Sequence, residues 1–329
     1  MGERKMIFVN ILILIVGFIF LIKGADLFVD ASSALAKTFR VSGVIIGLTI
    51  VAFGTSAPEL AVSTLAAFQG SNEIALSNVV GSNIFNLLGV LGICALICPV
   101  PVEGSITQRD YPVTVAVTVI VLFGACLKAI VSGAWLRTGM NASVGTVGRL
   151  LAVVLLVLFF IYMGHLIKEA KKNPTEEEVS GQPICKSLVM ILVGLAVVVA
   201  GGQAVVYASK EIAGSLGMTE TLIGLTIVAV GTSLPELVTS IVAAQKGETG
   251  MAVGNVVGSN IFNMMFILGV SALISPVSVN AASLWDMLIL TVISIIAFWF
   301  SYTKMAIDRR EGIIMLLIYV ADVVFAVFR

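Results

Sequence analysis

The sequence predicts an all-α polytopic membrane protein, with ten transmembrane helices arranged as two inverted five-helix repeats. Three observations lead there. The 329 residues are 59% hydrophobic and 12% charged, with a mean hydropathy of +1.10, roughly half the charge of an ordinary soluble domain. The charges cluster between long apolar runs, ten of which approach or exceed the ~20 residues a spanning helix needs; none alternates as a barrel strand would. Finally, the chain repeats itself at an offset of 177 without a gap. Gly47–Gly92 matches Gly224–Gly269 at 28 of 46 positions, including Asn78-Val79-Val80-Gly81-Ser82-Asn83-Ile84-Phe85-Asn86 against Asn255–Asn263.

The first span, 7–34, follows Arg4 and Lys5 as a signal peptide would. However, its Gly17 and Gly24 recur as Gly194 and Gly201, so the segment has an internal counterpart and is expected to be retained. Lys23 and Asp26 within it align with Ala200 and Gln203 and read as a local pair or a water-exposed turn. The second span, 42–69, carries Gly54-Thr55-Ser56-Ala57-Pro58-Glu59-Leu60, and the third, 74–98, carries the asparagine block. The fourth and fifth, 111–131 and 147–167, are less similar to their counterparts, and His165 at the end of the fifth reads as interfacial.

The hydrophilic stretch Lys168–Lys186 divides the chain into a first repeat (1–167), a short linker (168–183) and a second repeat (184–329). The second repeat holds spans 184–208, 219–246, 250–276, 284–302 and 311–328, with Gly231-Thr232-Ser233-Leu234-Pro235-Glu236-Leu237 in the seventh. Five helices is an odd number, so the second half must enter the membrane from the opposite side. Trp135, Trp285 and Trp299 with Tyr111, Tyr302 and Tyr319 fit an aromatic belt. Cys94, Cys98, Cys126 and Cys185 show neither disulfide nor metal spacing and read as small core residues.

Eleven Lys and Arg residues fall on the face carrying loops 1–2, 3–4, 5–6, 7–8 and 9–10, against seven on the other. The positive-inside rule therefore expects a multi-pass protein of the cell membrane with both termini outside the cytoplasm.

Function is concentrated in the repeated motifs. Glu59 lies between apolar pieces of about 15 Å each, near the bilayer midplane, and Glu236 occupies the same place in the other half. Intramembrane carboxylates are rare and usually face a pathway. Pro58 lacks an N–H and crowds the preceding turn, so carbonyls there, such as that of Ala52, are expected to be freed for a cation, and Ala229 stands in the matching place. Thr55 and Glu59 share a helix face, as do Ser82 and Asn86; Thr232, Ser233, Ser259 and Asn263 repeat the arrangement. Oxygen ligands without Cys or His suit Na+ or Ca2+ rather than zinc, copper or iron.

These paired blocks resemble the two alpha repeats of the calcium/cation antiporter superfamily, in particular its prokaryotic sodium/calcium exchangers, over the whole ten-helix plan. The resemblance implies that Glu59 and Glu236 are shared by Ca2+ and Na+. It also implies that Thr55, Ser56, Ser82, Thr232, Ser233 and Ser259 complete the sites, that the Ala52 and Ala229 carbonyls are sodium ligands, and that the long first and sixth helices slide across a fixed core. Some members, including potassium-dependent ones, carry Asp where this chain has Asn263, which argues against potassium co-transport. The linker of about 20 residues has no room for the calcium-sensing domains of animal exchangers.

The expected activity is electrogenic exchange of calcium for sodium by alternating access, with the lipid bilayer and the two ions as partners and no cofactor. Calcium/proton antiport is the alternative, and a cation channel a more distant one, because one inverted pair around a midplane site is not a symmetric pore. No nucleotide-binding loop, catalytic cluster or nucleic-acid motif occurs, so neither an ATP-driven pump, an enzyme nor a nucleic-acid partner is expected.

Overall fold

A computed structural model describes residues 2–70, 72–175, 182–216 and 229–328. Helix α1 (Gly2–Phe39) leads into a broken span, α2 (Gly43–Thr55) and α3 (Ala57–Phe68), bent by 49°. Next come α4 (Glu73–Ile97), strand β1 (Val100–Pro101), α5 (Ile106–Ser132), β2 (Ser143–Val147) and α6 (Arg149–Lys172). The second half contains α7 (Ile184–Ser215), a helical turn Ala229–Gly231, α8 (Leu234–Gln245), α9 (Thr249–Ile274), β3 (Val277–Asn280), α10 (Ala281–Lys304), β4 (Ala306–Ile307) and α11 (Arg309–Phe328). Eight described helices are long and apolar enough to cross a membrane, and the α2–α3 pair makes a ninth span. Of the expected span 219–246, residues 219–228 lie outside the described ones.

The inverted relation of the halves is visible in glycine contacts. A Cβ on Gly17 or Gly24 of α1 would meet the backbone at Val205 or Val198 within 3.0 Å, and one on Gly194 or Gly201 of α7 would meet Phe28 or Leu21. Residue numbers rise on one helix as they fall on the other, so α1 and its repeat mate α7 cross antiparallel at close range. The expected ends were too short: α1 continues past 34 to Phe39 and α7 past 208 to Ser215. Beyond Asp26 the polar residues of α1 end the apolar run without ending the helix, because they have partners. Asp26 lies 3.9 Å from Lys23 but has a closer partner in Lys246, at 3.3 Å; Asp30 lies 2.7 Å from the same ammonium. Ser33 donates to Glu248 at 2.5 Å. One end of α1 is thus clamped to the α8–α9 turn.

Helices α4 and α9 form the centre, and each contains a π-helical turn, at Phe85–Val90 and Phe262–Ile267. Two short antiparallel pairings, β1 with β4 and β2 with β3, tie the halves together outside the spans. Apolar side chains on α1, α6 and α11 face outward, as a lipid-facing surface requires.

Three readings need correction. Tyr111 is fully buried on α5, tilted against Phe298, and belongs to the core rather than to an aromatic belt. Cys185 is exposed, whereas Cys94 and Cys126 are the small core residues expected. The fourth span starts five residues earlier than 111, which takes Arg109 and Asp110 into the helix; the fully buried Asp110 carboxylate accepts from Arg109 and from the Tyr162 hydroxyl, at 2.8 Å.

Candidate ion-binding site

Each motif breaks its helix so that the acid begins a new one. Pro58 and Pro235 stand in the first turn of α3 and α8, where a missing N–H costs nothing, and Glu59 and Glu236 follow in that turn, favoured there by the helix dipole. Both glutamates are fully buried. The break is less open than expected at one point: Ala52 keeps its helical partner, with Ser56 N–H donating to its carbonyl at 3.1 Å. Proline removes the N–H four residues downstream of Gly54, not of Ala52, so any cation contact at Ala52 would use the carbonyl's remaining lone-pair direction. The Ala229 backbone opens the helical turn in the corresponding place.

The repeats exchange hydrogen bonds through their serines. Ser56 donates to Glu236 Oε1 at 2.7 Å, and Ser233 donates to Glu59 Oε1 at 3.0 Å. Ser82 lies 3.4 Å from the same Glu59 oxygen and 3.2 Å from Ser233. On each glutamate the second oxygen, Oε2, is buried with no hydrogen-bond partner. Asn86 and Asn263 contribute likewise: their amides donate across the centre to Asn260 Oδ1 at 3.1 Å and Asn83 Oδ1 at 3.0 Å, and their own Oδ1 atoms remain unpartnered, as does Ser259 Oγ. Buried acceptors left unpaired are costly and call for a cation, a proton or water. Four of these orphans are related by the repeat and two are carboxylate oxygens, all of them oxygen atoms of the kind hard cations take as ligands.

Several polar side chains around the glutamates carried no assignment from the sequence. Asn83 and Asn260 donate to each other's backbone carbonyls at 3.2 Å and hold α4 against α9. Asn78 donates to Ser63 at 3.0 Å, Asn255 to Ser240 at 2.9 Å, and each also reaches its own repeat's glutamate carbonyl at 3.4 Å, fixing α3 and α8. Their signal was present: all four asparagines stand in the repeated block, and Ser63 and Ser240 align at the same offset.

The symmetry is not complete. Thr55 donates to Asn255 at 3.0 Å, whereas the Thr232 hydroxyl has no partner. Met251, Gly254, Asn255 and Gly258 on α9 are buried against α2; the matching Ile74, Ser77 and Gly81 on α4 are exposed among the described residues, which leave out 220–228, the counterpart of 43–51 in α2. A cavity of about 540 Å³ lies along that face, lined by Glu73, Asn78, Thr232, Asp286 and Asp322 among others.

A family model described as sodium/calcium exchanger protein matches residues 9–168 and 186–328. The putative antiporter CaxA of Alkalimonas amylolytica is 36% identical, covering 93% of this chain and 95% of its own; the sodium/calcium exchanger MaX1 of Methanosarcina acetivorans is 35% identical, covering 97% and 99%. Among solved structures, the sodium-calcium exchanger NCX_Mj soaked with Na+ and Sr2+ superimposes with a TM-score of 0.80 at 31% identity, over 97% of this chain and 98% of that one. The ten-helix, two-repeat fold is therefore shared throughout. With the family match running through both halves and the relatives aligned nearly end to end, this chain belongs to the sodium/calcium exchanger protein family.

Proposed function

We propose that the protein is a secondary antiporter that moves Ca2+ against Na+ by alternating access. The observation carrying this is the pair Glu59 and Glu236, each bonded through one oxygen to a serine of the other repeat, with the second oxygen buried and unpaired. Two carboxylates neutralise one Ca2+. Emptied, the same pocket holds two buried charges and cannot easily change sides until other cations replace the calcium. Competition for one pair of charges is itself the coupling.

In this reading Glu59 and Glu236 hold both ions, Ser82, Ser259, Asn86 and Asn263 supply neutral oxygens, and Thr55, Thr232, Ser56, Ser233 and the Ala52 and Ala229 carbonyls complete the sodium positions. Residues 1–167 and 184–329 act as the two inverted units joined by 168–183. The protein works in the cell membrane with both termini outside the cytoplasm, and the 540 Å³ cavity then opens outward. The many neutral oxygens favour sodium over protons, since a proton needs no such shell.

Calcium-45 uptake into proteoliposomes preloaded with sodium, potassium or choline at fixed pH tests the proposal. Uptake should require internal sodium. Uptake that instead followed an imposed pH gradient, whatever the internal cation, would make the protein a calcium/proton antiporter; uptake indifferent to both would overturn exchange.

A further inference from the structure

We propose that the second half of α1 lines a water-filled crevice, which opens at the clamped end of the helix and closes at the middle of the bilayer beside Lys23. Depth along α1 follows from the repeat. Gly17 packs on Val205, Leu21 on Gly201, Gly24 on Val198 and Phe28 on Gly194, while each residue of α1 has its repeat mate 177 positions further on. The two helices therefore reach their own mates between Ile22 and Lys23 on α1 and between Val199 and Ala200 on α7, and that crossing lies on the pseudo-two-fold axis. For inverted repeats the axis runs in the membrane plane, so Lys23 stands at the bilayer centre.

One face of α1 changes character at this point. Leu12, Val16 and Ile19 are exposed and apolar, as a lipid contact requires. Lys23, Asp26, Asp30, Ser33 and Lys37 continue the same face in steps of three and four residues, and all are polar. The Lys23 side chain is 77% exposed, and the acid within its reach, Asp26 at 3.9 Å, lies closer to Lys246. Half of a ~30 Å hydrocarbon core separates this ammonium from either interface, farther than a lysine stem can snorkel. A charge at that depth needs water, because hydrocarbon offers it no partner.

Toward the end of the helix there is room for that water. A cavity of about 640 Å³ is lined by Asp30, Ser33, Ala34, Lys37, Lys246 and Glu248. The matching face of α7 carries Ala200, Gln203, Tyr207, Lys210 and Gly214, so the opposite leaflet has a single charge where α1 has four. The crevice makes the clamp reversible. Parting Lys246 from Asp26 and Asp30 in hydrocarbon would strand three charges, whereas water takes them up, and α1 can leave the α8–α9 turn and return to it.

Sealed membrane vesicles of both orientations, carrying the wild-type full chain, can be treated with a membrane-impermeant sulfonated succinimidyl ester, with lysine modification read by peptide mass spectrometry. Lys23 should be modified from the side that modifies Lys37 and not from the other. In a Cys98→Ser, Cys185→Ser background, Lys23→Cys and Ala34→Cys should react with a charged, impermeant thiol reagent about tenfold or more faster than Ile19→Cys, one turn beyond the centre on the same face, since the reactive thiolate forms only where there is water. Neither readout depends on which ions are carried. Lys23 left unmodified from both sides while Lys37 reacts, or modified from the side opposite Lys37, would overturn the proposal. Equal rates at Lys23→Cys and Ile19→Cys would overturn closure at the bilayer centre.

Discussion

Glu59 and Glu236 each keep one oxygen on a hydroxyl and hold the other free, so an amide substitution preserves shape and the serine contact while removing charge. Glu59→Gln and Glu236→Gln should therefore each yield a folded protein in which calcium-45 exchange falls to background; near wild-type exchange in either would remove the paired-glutamate site. Both acids were readable in the sequence because a carboxylate inside an apolar run has few explanations, and a repeated one fewer. The asparagine network was not. A block of identical residues shows that a face matters but not which amide points inward, and Asn83 and Asn260 resolve only when α4 and α9 are seen to cross and bond each other's carbonyls. The Ala52 carbonyl was misjudged for a local reason: the helical partner of a residue lies four ahead, and for Ala52 that is Ser56, not the proline.

Helix identity and order were readable from apolar length, whereas helix ends were not, since α1 and α7 extend beyond the apolar runs on side chains whose partners lie far away in sequence. The glycines show the same limit. Gly81 and Gly258 are equivalent in the repeat, yet a Cβ at Gly258 would lie 2.7 Å from Leu48 Cα and 2.9 Å from Ala52 Cβ, while Gly81 is exposed and meets nothing within 4 Å among the described residues. Gly258→Ala must push α2 and α9 apart, at a cost of about 1–3 kcal/mol. It should lower the melting temperature of the detergent-solubilised protein by several degrees, whereas Gly81→Ala should leave it unchanged. Equal effects of the two substitutions would mean that the repeats do not differ as described.

The proposed pocket holds two acids, Glu59 and Glu236, and many neutral oxygens, so with one Ca2+ it would be electrically balanced and with three Na+ it would carry an excess charge. Moving one elementary charge through the membrane potential is worth about 2.3 kcal/mol per 100 mV. Sodium-driven calcium uptake into proteoliposomes clamped with valinomycin should consequently speed up at one sign of voltage and slow at the other. Rates unaffected by voltage would point to two monovalent ions per calcium.

Inverted repeats of equal sequence would give a carrier no preference between its two orientations, and the clamp on α1 removes that parity. Lys246 grips Asp26 and Asp30 while Glu248 takes Ser33; the positions matching them in the other half are Gln69, Gln203, Tyr207, Ser71 and Lys210, which cannot reproduce these contacts. Exposed ion pairs are worth at most about 1 kcal/mol each, enough to tilt such a balance several-fold. Under the proposed alternating access, the clamp would favour the orientation in which these contacts form. Lys246→Gln should level that bias, raising the half-saturating calcium concentration on the face opposite the clamp and lowering it on the clamped face. Oriented proteoliposomes assayed from each side would register the two shifts, and movement of both constants in the same direction would show that the clamp only stabilises the fold.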